Sequence, residues 1–325
     1  MRDHGGDLDR AQSSYGGADW IDLSTGINRL PYPVPPLPLQ AWTALPMARD
    51  VARLEEIAAR SFGCAGPVVA LAGAQAAIQL TPRLSAPGRA AVLTPSYNEH
   101  AAALSAQGWT VTPAPGLSAM AGADLAVVVN PNNPDGRRWP PEALAGLAAQ
   151  VGLLVVDESF ADAEEGLSLA PILPRLGDRA VVLRSFGKFY GLAGVRLGFA
   201  LGGPTTTALL RALAGPWSVA GPALAIGTAA LADRAWQAAT AARLHADVAR
   251  LSELLAERAR WTTVGSSALF VTVETGDARA AQARLARAQI WTRVFPYSRG
   301  WLRLGLPGVA LEWERLEAAL ARGGE

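Results

Sequence analysis

Between residues 51 and 213 short apolar runs alternate with stretches of helical period. The runs are Val68-Val69-Ala70-Leu71, Ala90-Ala91-Val92-Leu93, Leu125-Ala126-Val127-Val128-Val129, Leu153-Leu154-Val155-Val156, Val181-Val182-Leu183 and Leu197-Gly198-Phe199-Ala200. Unbroken apolar runs this short read as strands covered on both faces, and their alternation with helices predicts an α/β domain with a mostly parallel sheet. The first forty residues are rich in Gly and Pro and end in Leu30-Pro31-Tyr32-Pro33-Val34-Pro35-Pro36, a pattern that favours extended backbone and suggests an arm. After Pro216 and Pro222 an Ala/Leu/Arg-rich stretch runs to about residue 260 without a proline, which predicts a long connecting helix. Beyond it, runs at 268–273, 291–295 and 301–304 alternate with helical stretches at 277–288 and 311–320, predicting a smaller α+β lobe. The expected division is therefore an amino-terminal arm at 1–40 contributing to the small domain, a large α/β domain at 41–215, and the connecting helix with the small domain at 216–325.

Composition narrows the partners. The chain has 325 residues, half of them hydrophobic, which is enough for one large core and a second lobe. Its formal charge is +1, and no Lys/Arg run or aromatic-basic stripe is present, so nucleic acid is not an expected partner. Cys64 is the only cysteine, which excludes an intramolecular disulfide, and Met1-Arg2-Asp3-His4 lacks the charged-then-apolar profile of a secretory signal. Every long apolar candidate is interrupted well short of the roughly 20 residues a bilayer requires. A cytoplasmic protein with no membrane segment and no metal site is the expectation.

One feature is sharper: Lys188 is the only lysine among 29 basic residues. A guanidinium serves as well as an ammonium for surface charge but stays protonated, whereas a desolvated lysine amine can form an imine. Lys188 lies in Ser185-Phe186-Gly187-Lys188-Phe189-Tyr190-Gly191-Leu192-Ala193-Gly194-Val195-Arg196, directly after a predicted buried strand. That places it at the carboxyl edge of the sheet, where open α/β folds hold their ligands. Ser185 and Arg196 supply a hydroxyl and a guanidinium suited to phosphate. Asp157, at the end of another buried strand, is either an anion for a ligand or a helix-capping aspartate. Leu71-Ala72-Gly73-Ala74-Gln75 passes from strand to helix, and the amides of Ala74 and Gln75 at such a start form an anion site. Asn130-Pro131-Asn132-Asn133-Pro134-Asp135-Gly136 and Thr94-Pro95-Ser96-Tyr97 follow two further strands.

Taken in chain order, Gly73-Ala74-Gln75, Tyr97, the Asn-Pro loop, Asp157 and Ser185 to Arg196, these five segments resemble the class I/II aminotransferases that use pyridoxal phosphate. The resemblance spans roughly residues 22–303. It implies the aspartate-aminotransferase fold (fold type I), with pyridoxal 5'-phosphate held as a Schiff base on Lys188. Asp157 would face the pyridine nitrogen, Asn133 the phenolic oxygen and Tyr97 the ring. Ser185, Arg196, Ala74 and Gln75 would take the phosphate, and Arg303 would grip a substrate anion with Arg293 one strand away. Three departures stand out: Gly187 where the family usually has Ser, Phe160 where many members have Tyr, and Leu45-Pro46-Met47 in place of Tyr-Pro-Asp.

The amino-terminal pattern, His4-Gly5-Gly6-Asp7 followed by Ile21-Asp22-Leu23-Ser24-Thr25-Gly26-Ile27-Asn28, is similar to that of threonine-phosphate decarboxylases of cobalamin biosynthesis, relatives of histidinol-phosphate aminotransferases. This implies decarboxylation of L-threonine O-3-phosphate to (R)-1-amino-2-propanol O-2-phosphate, with His4 and Asn28 helping to hold a phosphorylated amino acid in a homodimer. Transamination of histidinol phosphate or another amino acid is the alternative. A non-catalytic domain that binds the cofactor for regulation is the remoter one.

Overall fold

The computed structural model describes residues 4–321, which divide into two compact units. The larger holds residues 32–133 and 138–238; the smaller holds the described residues up to 31, residues 134–137, and those from 239 onward. In chain order the strands are β1 (Ile21–Asp22), β2 (Val68–Leu71), β3 (Arg89–Leu93), β4 (Thr110–Ala114), β5 (Leu125–Val129), β6 (Leu153–Asp157), β7 (Ala180–Ser185), β8 (Gly198–Gly202), β9 (Thr262–Ser267), β10 (Phe270–Glu274), β11 (Ile290–Trp291), β12 (Arg293–Phe295) and β13 (Ser298–Gly305).

The larger unit is built on a seven-stranded sheet of order β2-β8-β7-β6-β5-β3-β4. Strands β3 to β7 run parallel, and β8 is antiparallel to both of its neighbours. Strands β2, β5, β6 and β8 are buried at every position, which is why they appear in the sequence as unbroken apolar runs. Val69, Leu71, Val92, Leu125, Val127, Val155, Val181 and Leu183 form one face of this core with Ile78, Leu104 and Leu210 from the covering helices. Each such side chain gains roughly 1.5–3 kcal/mol from leaving water. Strand β4, Thr-Val-Thr-Pro-Ala, escapes the run pattern because it lies at the sheet edge, where Pro113 need not donate to a ladder.

The expected connecting helix is two helices, Gly221–Ala232 and Arg234–Ala259. They part at Asp233, whose carboxylate accepts the Trp236 amide at 3.0 Å and the Tyr32 hydroxyl at 3.4 Å. A side chain that competes for backbone donors can thus end one helix and cap the next without proline. The first of the two packs on the helix Ala48–Ser61, with Gly227 so close to Leu197 that a Cβ there would overlap it. Residues 216–238 therefore belong with the larger unit, not with the small domain.

The arm also divides earlier than residue 40. Tyr32 donates its amide to the Tyr190 carbonyl at 2.9 Å and meets the Trp236 ring edge-on at 5.1 Å, which places residues 32–40 in the larger unit.

The smaller unit carries an antiparallel sheet of order β12-β13-β10-β9 with the helices Ala278–Arg287 and Ala310–Ala321. Strand β1 pairs in parallel with β11, Ile21 opposite Ile290. The Leu23 amide donates to Trp291, and its carbonyl accepts from Gly305, each at 2.7 Å. The helix Leu8–Tyr15 seats Ala11 against Ala286 and Trp291. Residues 4–31 are accordingly part of this unit's core. Among the described residues no helix is long and apolar enough to cross a membrane, and no cluster of metal-ligating side chains occurs.

Candidate active site

In the larger unit, the parallel strands β5, β6 and β7 end side by side, with Val129 opposite Asp157 and Asp157 opposite Leu183. Asp157 closes β6 and is 2% exposed. His100 Nε2 lies 2.8 Å from its Oδ2, and the Ser159 amide donates to its Oδ1 at 2.9 Å. Burial alone would push this carboxyl up. The His100 hydrogen bond and charge, the Ser159 hydrogen bond and the Lys188 charge together outweigh it and hold Asp157 below the usual carboxylate range.

Lys188 stands in the short helix Phe186–Phe189 immediately after β7 and is half-buried, its Nζ 5.1 Å from the centre of the Phe160 ring. Ser185, half-buried, ends β7 and immediately precedes that helix. Gly187 has a physical reason to lack a side chain, since a Cβ there would stand 2.7 Å from the Ala193 Cα. A serine at this position would require the loop to shift.

Arg196 occupies the left-handed region at φ 55° and is exposed, its guanidinium lying over Gly73. A Cβ on Gly73, itself at φ 83°, would sit 2.8 Å from Arg196 Nη2. The structure thus brings Arg196 to the residue that precedes Ala74 and Gln75 in the helix Ala74–Leu80. Gln75 donates to Glu99 at 3.1 Å and accepts from the Tyr97 hydroxyl at 3.4 Å, so Tyr97 belongs to the same cluster. Its ring also meets the His100 ring edge-on at 6.2 Å.

The Asn-Pro loop is fixed by its other two asparagines. Asn130 exchanges hydrogen bonds with the Trp139 backbone at 2.9 and 3.1 Å. Asn132 accepts from Ser96 at 2.8 Å and donates to the Pro95 carbonyl at 2.9 Å. Asn133, the residue singled out by the sequence, is half-buried between these anchors and Pro134.

The residues expected from the sequence to meet substrate, Arg303, Arg293, His4 and Asn28, lie in the smaller unit. Arg303 on β13 and Arg293 on β12 are direct cross-strand partners and so share one sheet face. Arg303, 6% exposed, donates to the Ser24 carbonyl at 2.7 Å and lies 5.2 Å from the centre of the Phe270 ring. The Gly6 amide donates to Ser24 Oγ at 2.7 Å, and Gly5 is so close to the Ser24 carbonyl that a Cβ would overlap it. The exposed His4 is therefore delivered to the segment that Arg303 grips. Asn28 is 2% exposed, and its side-chain oxygen accepts from Arg243 at 2.8 Å and from the Leu30 amide at 3.1 Å.

The model of the class I and II aminotransferases matches residues 51–321. The chain belongs to this family. It is 45% identical to a threonine-phosphate decarboxylase of Pseudomonas aeruginosa over 98% of this chain and 97% of that one. It is 42% identical to a threonine-phosphate decarboxylase of a Sinorhizobium species over the same shares. Its fold matches a histidinol-phosphate aminotransferase of Sinorhizobium meliloti, solved in complex with pyridoxal-5'-phosphate, at a TM-score of 0.80, with 23% identity over 97% of this chain and 93% of that one.

Two features of this candidate site were not legible in the sequence. His100 lies in the first turn of the helix Asn98–Ala106, which Tyr97 precedes with extended backbone; a histidine in the first turn after the strand-end tyrosine, Tyr97-x-x-His100, is the signal that would have found it. The other is a buried ion-pair network beneath the lysine segment. Arg184 on β7, 4% exposed, donates to Glu158 and to Asp162, each at 2.9 Å. Glu158 also accepts from Ser168 at 2.5 Å and from the Leu169 amide at 2.6 Å. Glu158 follows Asp157 and Arg184 precedes Ser185, so this network joins the ends of the two strands that present the site.

Proposed function

We propose that this chain is a pyridoxal-phosphate-dependent lyase that decarboxylates L-threonine O-3-phosphate to (R)-1-amino-2-propanol O-2-phosphate, a building block of cobalamin. The observation that carries the cofactor reading is the buried Asp157 at the end of β6, its Oδ2 2.8 Å from His100 Nε2, with the chain's only lysine directly after β7, the strand paired with β6. The donor set fits the group. Arg196 over Gly73, the Ala74 and Gln75 amides, and Ser185 would take its phosphate; Tyr97 would lie against its ring; Asn133 would donate to its phenolic oxygen; and Lys188 would take its aldehyde. The preference for decarboxylation over transamination rests on near-full-length likeness to two relatives bearing that name.

When bound, the cofactor supplies an electron sink for the pair left at the substrate α-carbon as carbon dioxide departs. Asp157 keeps a proton on the ring nitrogen, which an uncharged or unpaired side chain in so buried a place would not do. The apolar Phe160 ring beside Lys188 Nζ keeps water away from the amine, and Lys188 carries the proton returned to the α-carbon. Arg293 and Arg303 together suit a substrate with two anionic groups, and His4 adds a third polar contact.

We further read the protein as a cytoplasmic homodimer. In support, Leu39, Trp42, Leu45 and Met47 expose large apolar side chains within nine residues, a patch of the kind a second subunit covers.

The test is direct. Purified protein given threonine phosphate should release carbon dioxide, and borohydride should leave a pyridoxyl mass on the Lys188 peptide. Glutamate formed from histidinol phosphate and 2-oxoglutarate, without carbon dioxide from threonine phosphate, would reverse the choice of reaction.

A further inference from the structure

In the smaller unit, Arg293, Arg303, Thr272 and Gly265 stand in one cross-strand row over β12, β13, β10 and β9, with Arg293 opposite Arg303, Arg303 opposite Thr272, and Thr272 opposite Gly265. Direct cross-strand partners share a sheet face. Residues 134–136 of the Asn-Pro loop lie on this face. Thr272, fully buried, donates its hydroxyl to the Pro134 carbonyl at 2.5 Å. Next to it, a Cβ on Gly265 would overlap the Asp135 carbonyl, and a Cβ on Gly136, at φ 68°, would overlap the Ser266 backbone. Two glycines let the loop backbone lie flat against the strands, and one hydroxyl in the sheet interior fastens it there.

We propose that Thr272 is a positioning residue, clamping the Asn-Pro loop to the strands that carry Arg293 and Arg303. The inference rests on the functional reading above, in which Asn133, bonded directly to Pro134, donates to the cofactor. With the Pro134 carbonyl held, the backbone next to Asn133 loses its freedom to rotate. A hydroxyl in a strand interior is otherwise hard to account for, since valine would fill the same volume without a polar group to satisfy.

Thr272→Val removes the donor and keeps the shape. In cofactor-free protein, the Asp135, Gly136 and Arg137 amides should then exchange hydrogen about tenfold faster, the cost of one hydrogen bond. In cofactor-loaded protein, a loosened Asn133 amide no longer stabilises the phenolic anion fully. The pH midpoint of the visible absorbance band should rise by roughly half a unit to one unit. Thr272→Ser should restore both values. Gly265→Ala keeps the hydroxyl but lifts the loop with its methyl group, and should move both readouts the same way as Thr272→Val. Unchanged exchange in both Thr272→Val and Gly265→Ala overturns the clamp. Faster exchange with an unmoved midpoint overturns the positioning role and leaves Thr272 a purely structural residue. Absence of any visible band in the unmodified protein is a different failure, which removes the cofactor reading and the role of Asn133 together.

Discussion

Replacing His100 with phenylalanine tests the electrostatics at the centre of the site. Both His100 and Asp157 are 2% exposed, and their 2.8 Å contact is a hydrogen bond to a charged acceptor. Such a bond contributes about 1.5–3 kcal/mol, and stranding a buried charge by removing its partner can cost about 3–5 kcal/mol. The Ser159 amide at 2.9 Å and the Lys188 charge remain, so we expect a loss of about 2–4 kcal/mol at pH 7. The sign with pH follows from the direction of the shift. Asp157 sits below its ordinary value, so its stabilising contribution is complete above the unfolded carboxylate value of about 4 and is lost as pH falls through the lower folded value. In His100→Phe burial prevails, the carboxyl is pushed up, and the penalty disappears once acid neutralises it. Urea denaturation of cofactor-free protein at pH 7 and at pH 4 should therefore show a large gap between the two proteins that narrows at the lower pH. A gap below about 0.5 kcal/mol at pH 7, or one that widens in acid, refutes the reasoning.

Arg184→Met leaves Glu158 buried without its cation and should cost about 3–5 kcal/mol in denaturant titration; adding Glu158→Gln should recover part of the loss. Gly187→Ser restores the family hydroxyl but forces a Cβ toward Ala193, so thermal denaturation should show a loss of about 1–3 kcal/mol, with no gain in cofactor affinity by fluorescence titration. Asp233→Ala removes the cap that the Trp236 amide uses and should cost about 1 kcal/mol in urea.

The buried strands were legible because each is covered on both faces and so carries almost nothing but apolar residues. β9, Thr-Thr-Val-Gly-Ser-Ser, was not: only Ser267 of its six residues is buried, so no hydrophobic run marks it. The break at Asp233 was hidden because it depends on a carboxylate finding the Trp236 amide and the Tyr32 hydroxyl, the latter 201 positions away in the chain. In the candidate site, Lys188, Asp157 and Arg196 drew notice through residue type and their place after strands. Their supports were less so. His100 has an ordinary place on a helix, and its importance arises from a partner 57 residues on. Asn28 matched a pattern in the sequence, while the bonds its oxygen accepts from Arg243 and Leu30 depend on tertiary packing that the pattern does not carry.

The pairing of Ile21 with Ile290 has a consequence for synthesis. A ribosome adding about 5–20 residues per second emits the partner of Ile21 roughly 15–50 seconds after Ile21 itself. During that interval Ile21 and Leu23, both destined for the interior, have no mate, while residues 32–238 include a complete sheet that can already close. Ile21 and Leu23 stay without their native partners until the last quarter of the chain arrives to enclose them.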